Sequence, residues 1–249
     1  MDPFNTKIIR LHAIDSTNRE AFRLLESGSL AEGTVIVAQS QSSGRGQGKT
    51  TWESAPGRNL TFSLVLRPLF LPPARQFLLN QTIALGIRDC LAGQLFPERV
   101  SIKWPNDIYC SMGKVSGTLI ENRIMGSQFD LCVAGIGINV NQEVFTSDAP
   151  NPLSLKKLTG RKYDLEELLQ SCLESIGRRY GLLRSGQYHQ IQQTYLDTLL
   201  GLNENLHFRA GEETFVGTIT GVDQYGRLQI LHENQQTLTF DIKEVQMLL

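Results

Sequence analysis

The chain has 249 residues, of which 41% are hydrophobic and 20% charged, and its 24 basic and 25 acidic side chains give a net charge of −1. These values are typical of a folded globular protein with room for one large and one small domain, and they argue against a disordered chain. A nearly neutral chain offers no basic surface for phosphate backbones, so we expect no nucleic-acid partner.

Targeting segments and cysteine clusters are not evident. The N-terminus, MDPFNTKIIR, lacks the basic region and apolar core of a secretory signal. No segment reaches the roughly 20 apolar residues of a membrane helix, so we expect no membrane partner. Disulfide frameworks and zinc sites need clustered cysteines, so we predict reduced, mostly buried thiols, no protein-held metal ion and a cytoplasmic protein. The widely spaced cysteines are Cys90, Cys110, Cys132 and Cys172.

Short strands surround one helix in the first 70 residues. Ala21 and Leu24 recur at helical spacing and predict that helix. Thr17 and Glu20 are spaced as a capping box, which predicts that Thr17 caps the helix, and Gly28 is placed to end it. Apolar runs typical of strands lie at residues 8–11, 35–38 and 60–66.

Strands and then helices follow up to residue 200. Apolar side chains at helical spacing predict a long helix over residues 74–95. Two further helices are predicted near residues 164–183 and 187–200. This mixed order favours an α+β fold, with a mixed β-sheet and packed helices, over a strictly alternating parallel fold. The successive strands are predicted at residues 100–104, 108–110, 115–121 and 129–140.

The character of the sequence changes near residue 201. Residues 205–249 contain only short β-like runs separated by turn signals, as at residues 223–226. About 45 residues of this kind predict a small C-terminal antiparallel β-barrel. We therefore predict two domains, residues 1–202 and residues 203–249.

The loop at residues 42–52 is the first candidate site. Its alternate glycines, among them Gly44, let a backbone approach a ligand and turn N–H groups toward an anion. Arg45 and Lys49 add positive charge, and Trp52 offers an aromatic face for a base. The spacing fits neither a P-loop nor a dinucleotide-binding motif. A flexible surface loop anchored by the tryptophan is an equally good interpretation of the composition alone.

Three further segments lie at the ends of predicted strands. Residues 103–107, Lys-Trp-Pro-Asn-Asp, could hold polar groups against a phosphate, a metal or an amine, or could simply cap a turn. Lys114 could meet a carboxylate or phosphate as a point charge, although a lysine before a strand is usually solvated. The glycines at 117, 135 and 137 leave room for a ligand or adjust packing, and Asn139 could donate to phosphate.

In this order and at these separations, the segments resemble the biotin protein ligase family. The resemblance extends over nearly the whole chain. It implies a class II synthetase-like catalytic domain and an SH3-like C-terminal barrel. It also implies an AMP-forming ligase that converts biotin and ATP to biotinyl-5′-AMP and then transfers biotin to a lysine of a biotin carboxyl carrier domain. The matches are residues 15–18, Asp-Ser-Thr-Asn, and residues 44–52, 103–107, 114–117 and 135–139.

The resemblance assigns roles to the matching residues. Those implied to bind biotin are Ser16, Thr17, Asn18, Gln39, Arg45, Gly46, Gln47, Lys114 and Gly117. Those implied to bind ATP are Trp52, Asn106, Asn139 and Lys114. Lys114, Arg45 and Asp107 are implied to be catalytic, with Asp107 as the base or orienter of the acceptor lysine. Hydroxyl and amide groups suit the neutral urea of biotin, and Mg²⁺ is expected with ATP.

Two features set the chain apart from some members of that family. Gln47 stands where many have arginine, and glutamine cannot neutralise a phosphate, although Lys49 could partly substitute. The ligase motif begins at Asp15, so we expect no helix-turn-helix domain and a monofunctional ligase. Two alternatives stay open, a lipoate-type protein ligase and a non-catalytic biotin-sensing regulator. Some members pair through sheet edges, which leaves a homodimer open.

Overall fold

The computed structural model describes residues 4, 6–28, 30–46, 48, 50–96, 99–111, 113–147 and 151–249. Within these residues the chain forms two β-sheets and five α-helices. In the described part of the chain, no helix is both long enough and apolar enough to cross a membrane. All four cysteines are buried free thiols, as predicted from their spacing.

The larger sheet has seven strands and is mixed. Strands β1 and β2 are parallel, and all other neighbours are antiparallel, in the order β1-β2-β3-β7-β6-β5-β4. Every residue of β3 is buried, because this strand lies within the sheet and both of its faces are covered. The strands are β1 (Ile8–Ile14), β2 (Val35–Gln41), β3 (Leu60–Leu66), β4 (Val100–Lys103), β5 (Asp107–Cys110), β6 (Gly113–Met125) and β7 (Gln128–Ile138).

Helices cover the two faces of this sheet unequally. On one face, α2, α4 and α5 pack through a large core that includes Phe62, Ile83 and Ile176. On the other face, α1 packs alone through a small cluster around Ala21 and Val133. The rest of that second face is therefore left for a cavity. The helices are α1 (Thr17–Ser27), α2 (Gln76–Ala92), α3 (Leu155–Thr159), α4 (Leu165–Arg184) and α5 (Tyr188–Asp197).

The second sheet is antiparallel and comprises the C-terminal strands. Its order is β11-β10-β9-β8-β12, with β11 and β12 at opposite ends, and β12 contains only two residues. The described strands therefore form an open sheet, and the predicted SH3-like barrel is not confirmed. The strands are β8 (Asn205–Ala210), β9 (Glu213–Val222), β10 (Leu228–His232), β11 (Thr237–Phe240) and β12 (Gln246–Met247).

The two sheets share one hydrophobic core. Phe208 and Ile230 of the second sheet belong to the same buried cluster as Tyr195 of α5. The indole Nε1 of Trp104 also donates to the carbonyl of Gly226 at 2.9 Å. The C-terminal sheet starts at Asn205, close to the predicted boundary after residue 202. The division into two domains remains a prediction, because the core is continuous across it.

The local structure at the start of α1 differs from the prediction. Ser16 is the N-cap residue and its side chain makes no capping hydrogen bond, while Thr17 is already helical. The amide and hydroxyl of Thr17 instead donate to Oε1 of Gln41, at 2.8 and 3.2 Å. Hydrogen bonds to Gln41, which is distant in the sequence, thus take the place of the predicted capping-box interaction. Gly28 ends the helix as predicted.

Candidate active site

A cavity of about 790 Å³ lies on the sheet face that α1 covers only in part. It joins the start of α1, the loop after β2, the turn between β4 and β5, and the strands β6 and β7. Its wall runs from Ser16 to Gln246, so segments from nearly the whole length of the chain meet at one place. The predicted site residues on its wall are Ser16, Thr17, Asn18, Arg45, Gly46, Trp52, Asn106, Asp107, Lys114, Gly117 and Asn139.

Gln39 is the predicted site residue that the structure places away from this wall. It is exposed, and the cavity is lined instead by Gln41. Both glutamines lie on one side of β2, but only Gln41 is at the end of the strand, beside Thr17. The structure therefore gives no support to Gln39 and identifies Gln41, which sequence reasoning missed. Gln47, the other predicted glutamine, and Lys49 lie outside the described residues.

A buried polar network holds the start of α1 against the sheet. Oγ of Ser63 lies 2.8 Å from Oγ1 of Thr17 and 2.6 Å from Oδ1 of Asn18. Nδ2 of Asn18 donates to the Glu121 carboxylate at 2.8 Å. A side chain at Gly135 would overlap the Asn18 amide. The network is well satisfied, so it holds these polar groups in one arrangement.

The indole of Trp52 packs closely against β6 and β7 at two of their glycines. A side chain at Gly137 would overlap the indole, and one at Gly117 would touch it at 3.2 Å. The sequence alone predicts that the strand glycines leave room for a ligand or adjust packing. The structure shows that Gly135 and Gly137 admit two of the protein's own site residues, Asn18 and Trp52.

Lys114 and Asp107 form an ion pair inside the cavity. Nζ of Lys114 donates to Oδ2 of Asp107 at 2.6 Å and lies 5.8 Å from the centre of the Trp52 ring. Lys103 is the cross-strand neighbour of Asp107. Burial lowers the pKa of Lys103 and Lys114 lowers it further, whereas Asp107 opposes the shift. Asp107 is thus paired with Lys114 and lies in the field of a second lysine, an excess of positive charge that suits an incoming anion.

The turn at residues 103–107 is held from several sides. Its Trp104–Pro105 peptide bond is cis, and the buried hydroxyl of Tyr195 donates to the Pro105 carbonyl at 2.8 Å. Nδ2 of Asn106 donates to Asn80 of α2 at 2.8 Å and to a backbone carbonyl of β6 at 3.2 Å. The Asn106 amide therefore fixes the turn, which places Asp107 rigidly at the start of β5.

Glu53, which sequence reasoning did not single out, joins two segments of the cavity wall. Its carboxylate accepts hydrogen bonds from the backbone amides of Thr146 at 3.0 Å and Ser147 at 2.8 Å. Nε2 of Gln142 donates to it at 3.0 Å. Burial alone would raise the pKa of Glu53, but the bonds from Ser147 and Thr146 outweigh it and lower the pKa below its usual value. The residue after Trp52 thus anchors residues 146–147.

The C-terminal sheet also reaches the cavity. Lys243, Val245 and Gln246 form part of its wall. Gly48, whose φ is +68°, lies so close to Lys243 that a side chain there would overlap Nζ. These contacts link the loop after β2 to the C-terminus. No motif in the sequence predicted them, because short β-strands of this kind carry no chemical signature.

A model of the biotin/lipoate A/B protein ligase family matches residues 11–139, which is more than half of the chain. The chain belongs to the biotin/lipoate A/B protein ligase family. The matched range contains every predicted site residue, and it ends at Asn139 on the cavity wall. The family membership implied by the sequence motifs is therefore confirmed.

Individual ligases of this family resemble the chain over most of its length. It is 31% identical to the bifunctional ligase/repressor BirA of Bacillus subtilis over 90% of this chain and 69% of that protein. It is 31% identical to the biotin–[acetyl-CoA-carboxylase] ligase of Paracoccus denitrificans over 86% of this chain and 90% of that protein. Biotin protein ligase from Aquifex aeolicus, solved in complex with biotin and ATP, is 28% identical with a TM-score of 0.78, covering 97% of this chain and 98% of that one.

Proposed function

We propose that this protein is a biotin protein ligase. It activates biotin with ATP to biotinyl-5′-AMP and then transfers biotin to a lysine of a biotin carboxyl carrier domain. The observation that carries the proposal is a single cavity that joins uncharged hydrogen-bonding groups at the start of α1 to a pair of opposite charges, Lys114 and Asp107, beside Trp52. The related ligase of Paracoccus and the biotin and ATP complex from Aquifex support it.

The uncharged end of the cavity suits the urea ring of biotin. Ser16, Thr17 and Gln41 surround this end with hydroxyl and amide groups. Because Oε1 of Gln41 accepts from Thr17, its Nε2 amide is the group that donates to the urea carbonyl. Gln41 thus takes the role that the sequence assigned to Gln39.

The charged end suits the reacting groups. The biotin carboxylate attacks the α-phosphate of ATP, a bond to phosphorus forms, and pyrophosphate leaves. Lys114 and Arg45 stabilise the negative charge that develops on the phosphoryl oxygens, an effect of about 3 kcal/mol for one well-placed donor. Trp52 packs against adenine, and Asn139 lies nearby on the wall. Asn106 contributes by fixing the turn, since its amide hydrogens bind protein acceptors.

Mg²⁺ would enter this cavity bound to the phosphates of ATP. No cluster of three or more His, Cys, Asp or Glu side chains within the described ranges could hold a metal by itself. Magnesium commonly keeps several waters and takes most of its protein-site ligands from the substrate phosphates, so ATP would supply most of its ligands here and Asp107 would stay available for the acceptor amine. When bound, the ion neutralises charge on the phosphate oxygens.

Transfer requires Asp107 to be released from Lys114. The acceptor amine forms a bond to the biotin carbonyl carbon, the bond from that carbon to the AMP oxygen breaks, and AMP leaves. The amine must lose a proton, and the carboxylate of the ion pair, Asp107, lies on the cavity wall where it could accept that proton. We propose that Lys114 turns toward the phosphate first, which frees Asp107 to orient the amine and accept that proton.

The decisive experiment measures biotin-dependent pyrophosphate release from ATP without any acceptor, with lipoate as a parallel substrate. Release with biotin is the expected result. Release with lipoate alone would indicate a lipoate-type ligase, and no release by folded protein that binds biotin would indicate a non-catalytic regulator. Both alternatives are disfavoured because the Paracoccus and Aquifex relatives are named as ligases of biotin.

The proposal extends to location and assembly. A cytoplasmic location follows from the requirement for ATP and agrees with four free thiols. A homodimer stays a prediction, for which sedimentation equilibrium with and without biotin is the test. The acceptor would be identified by incubating candidate carrier domains with the enzyme, biotin and ATP and locating the modified lysine by mass spectrometry.

A further inference from the structure

Glu121 lies on β6 behind the uncharged end of the cavity. Its cross-strand neighbour is Val133 of β7, which packs in the small cluster under α1. Directly opposed residues of an antiparallel pair point to the same face, so Glu121 points to the face that carries the cavity. Its side chain is 27% exposed to solvent. It supports the cavity wall from behind and does not line the cavity.

The two carboxylate oxygens of Glu121 hold two different parts of the site. Oε2 accepts from Nδ2 of Asn18, at the start of α1, at 2.8 Å. Oε1 accepts from Nη1 of Arg45, in the loop after β2, at 3.0 Å. One acid therefore joins the two segments that supply most of the proposed biotin-binding groups.

The first consequence concerns the orientation of the Asn18 amide. A carboxylate only accepts hydrogen bonds, so Asn18 must turn its Nδ2 toward Glu121. Its Oδ1 is then turned to Ser63 and accepts from that hydroxyl at 2.6 Å. Asn18 is only 3% exposed, and either group left unpaired there would be costly. Glu121 thus sets the direction of hydrogen bonding at the start of α1.

The second consequence concerns the loop after β2. Residues 44–46 pair with residues 50–52 as a short hairpin, in which Gly46 N donates to Thr50 O at 2.8 Å and Trp52 N donates to Gly44 O at 3.0 Å. Arg45 is bridged to Thr51 within this hairpin. The ion pair between Arg45 and Glu121 draws the hairpin toward β6 and places Arg45 on the cavity wall.

We propose that Glu121 is a positioning residue of the biotin site, which orients Asn18 and docks the hairpin formed by residues 44–46 and 50–52 through Arg45. The inference rests on the proposed function. Glu121 does not touch the reacting groups, and it acts through two residues that do line the cavity. Because the Arg45 and Glu121 side chains are 39% and 27% exposed, salt screens their attraction and weakens the docking.

The test compares Glu121→Gln with wild type and with a matched control, Glu166→Gln. Glu166 pairs with Arg10 on the surface, away from the cavity, so the control removes an ion pair of the same type. Glu121→Gln should raise the biotin Kd about tenfold, leave the KM for ATP within about twofold, and speed trypsin cleavage within residues 44–52 about fivefold. The control should match wild type in all three measurements.

Wild-type protein supplies a second test that needs no variant. Trypsin cleavage within the hairpin, normalised to a peptide substrate, should speed up severalfold between about 20 mM and about 0.5 M sodium chloride. A cleavage rate that is independent of salt, or a Glu121→Gln variant that behaves like the control, overturns the proposal for Glu121. If the wild type still releases pyrophosphate in a biotin-dependent way, the proposed function is unaffected by that result. Failure of the wild type to bind biotin or to release pyrophosphate overturns the proposed function instead.

Discussion

Lys114 and Asp107 neutralise each other in this structure, with Nζ of the lysine 2.6 Å from Oδ2 of the aspartate. Both residues are needed in the proposed chemistry, but at different steps and with different partners. The register places them close together, since Lys114 of β6 is the cross-strand neighbour of Tyr109, and Asp107 lies two residues before Tyr109 on β5. The two side chains therefore stay paired in the cavity until a phosphate competes with Asp107 for Lys114.

Lys114→Ala should abolish adenylate formation. Loss of the cation removes the main stabilisation of phosphoryl charge and leaves Asp107 unpaired, so we expect a fall of at least about 100-fold in biotin-dependent pyrophosphate release. Lys156→Ala, which removes a lysine paired with Glu143 at the surface, is the matched control. A nearly normal rate in the first variant would remove Lys114 from the reaction.

Asp107→Asn should separate the two half-reactions. Asparagine keeps the shape of the side chain and still accepts from Lys114, but it cannot take the proton of the acceptor amine. Pyrophosphate release should therefore stay within about tenfold of wild type, whereas biotin transfer to a carrier domain should fall by about 100-fold or more. Single-turnover transfer from preformed biotinyl-5′-AMP measures the second step alone. Equal losses in both steps would contradict the assigned role.

Gly137→Ala should act on ATP through Trp52. The added methyl group would overlap the indole and displace it, so the variant should resemble Trp52→Ala and raise the KM for ATP about tenfold with little change in the biotin Kd. Gly181→Ala in α4 is a suitable control, because a side chain there meets no atom within 4 Å. If the affinities for biotin and for ATP fall equally, Trp52 does not pack against adenine.

Glu53→Gln should loosen residues 146–147 and destabilise the fold by about 1–2 kcal/mol, because charge-assisted hydrogen bonds to backbone amides are lost. The pKa of Glu53 is lowered in the folded state from its usual 4.5. Its stabilising effect is therefore fully present above about pH 4.5 and is lost as the pH falls through the lower folded-state value. Urea unfolding of wild type and variant should give a constant difference near neutral pH that shrinks below pH 4.5. If the difference in unfolding free energy between wild type and variant grew as the pH fell, the predicted direction of the pH dependence would be wrong.

Much of the secondary structure could be predicted because its signals are local. Helix α2 was expected over residues 74–95 and spans Gln76–Ala92, since apolar residues repeat at the helical period. Strand β7 was expected over residues 129–140 and spans Gln128–Ile138. The helix start at Ser16 was missed, because the hydrogen-bonding partner of Thr17 is Gln41, 24 residues away.

The sequence by itself determined the family, the mixed sheet with its helices, and 11 residues of the cavity wall, because motifs and periodic patterns are properties of neighbouring residues. Only the tertiary structure decided that Gln41 rather than Gln39 faces the cavity, and that Glu121 and Glu53 support its loops. It also decided that the C-terminal strands form an open sheet, and that the turn between β11 and β12 contributes Lys243 to the wall. These features depend on contacts between segments distant in sequence. Such contacts arise from where strands end and how sheets pack, which no local spacing specifies.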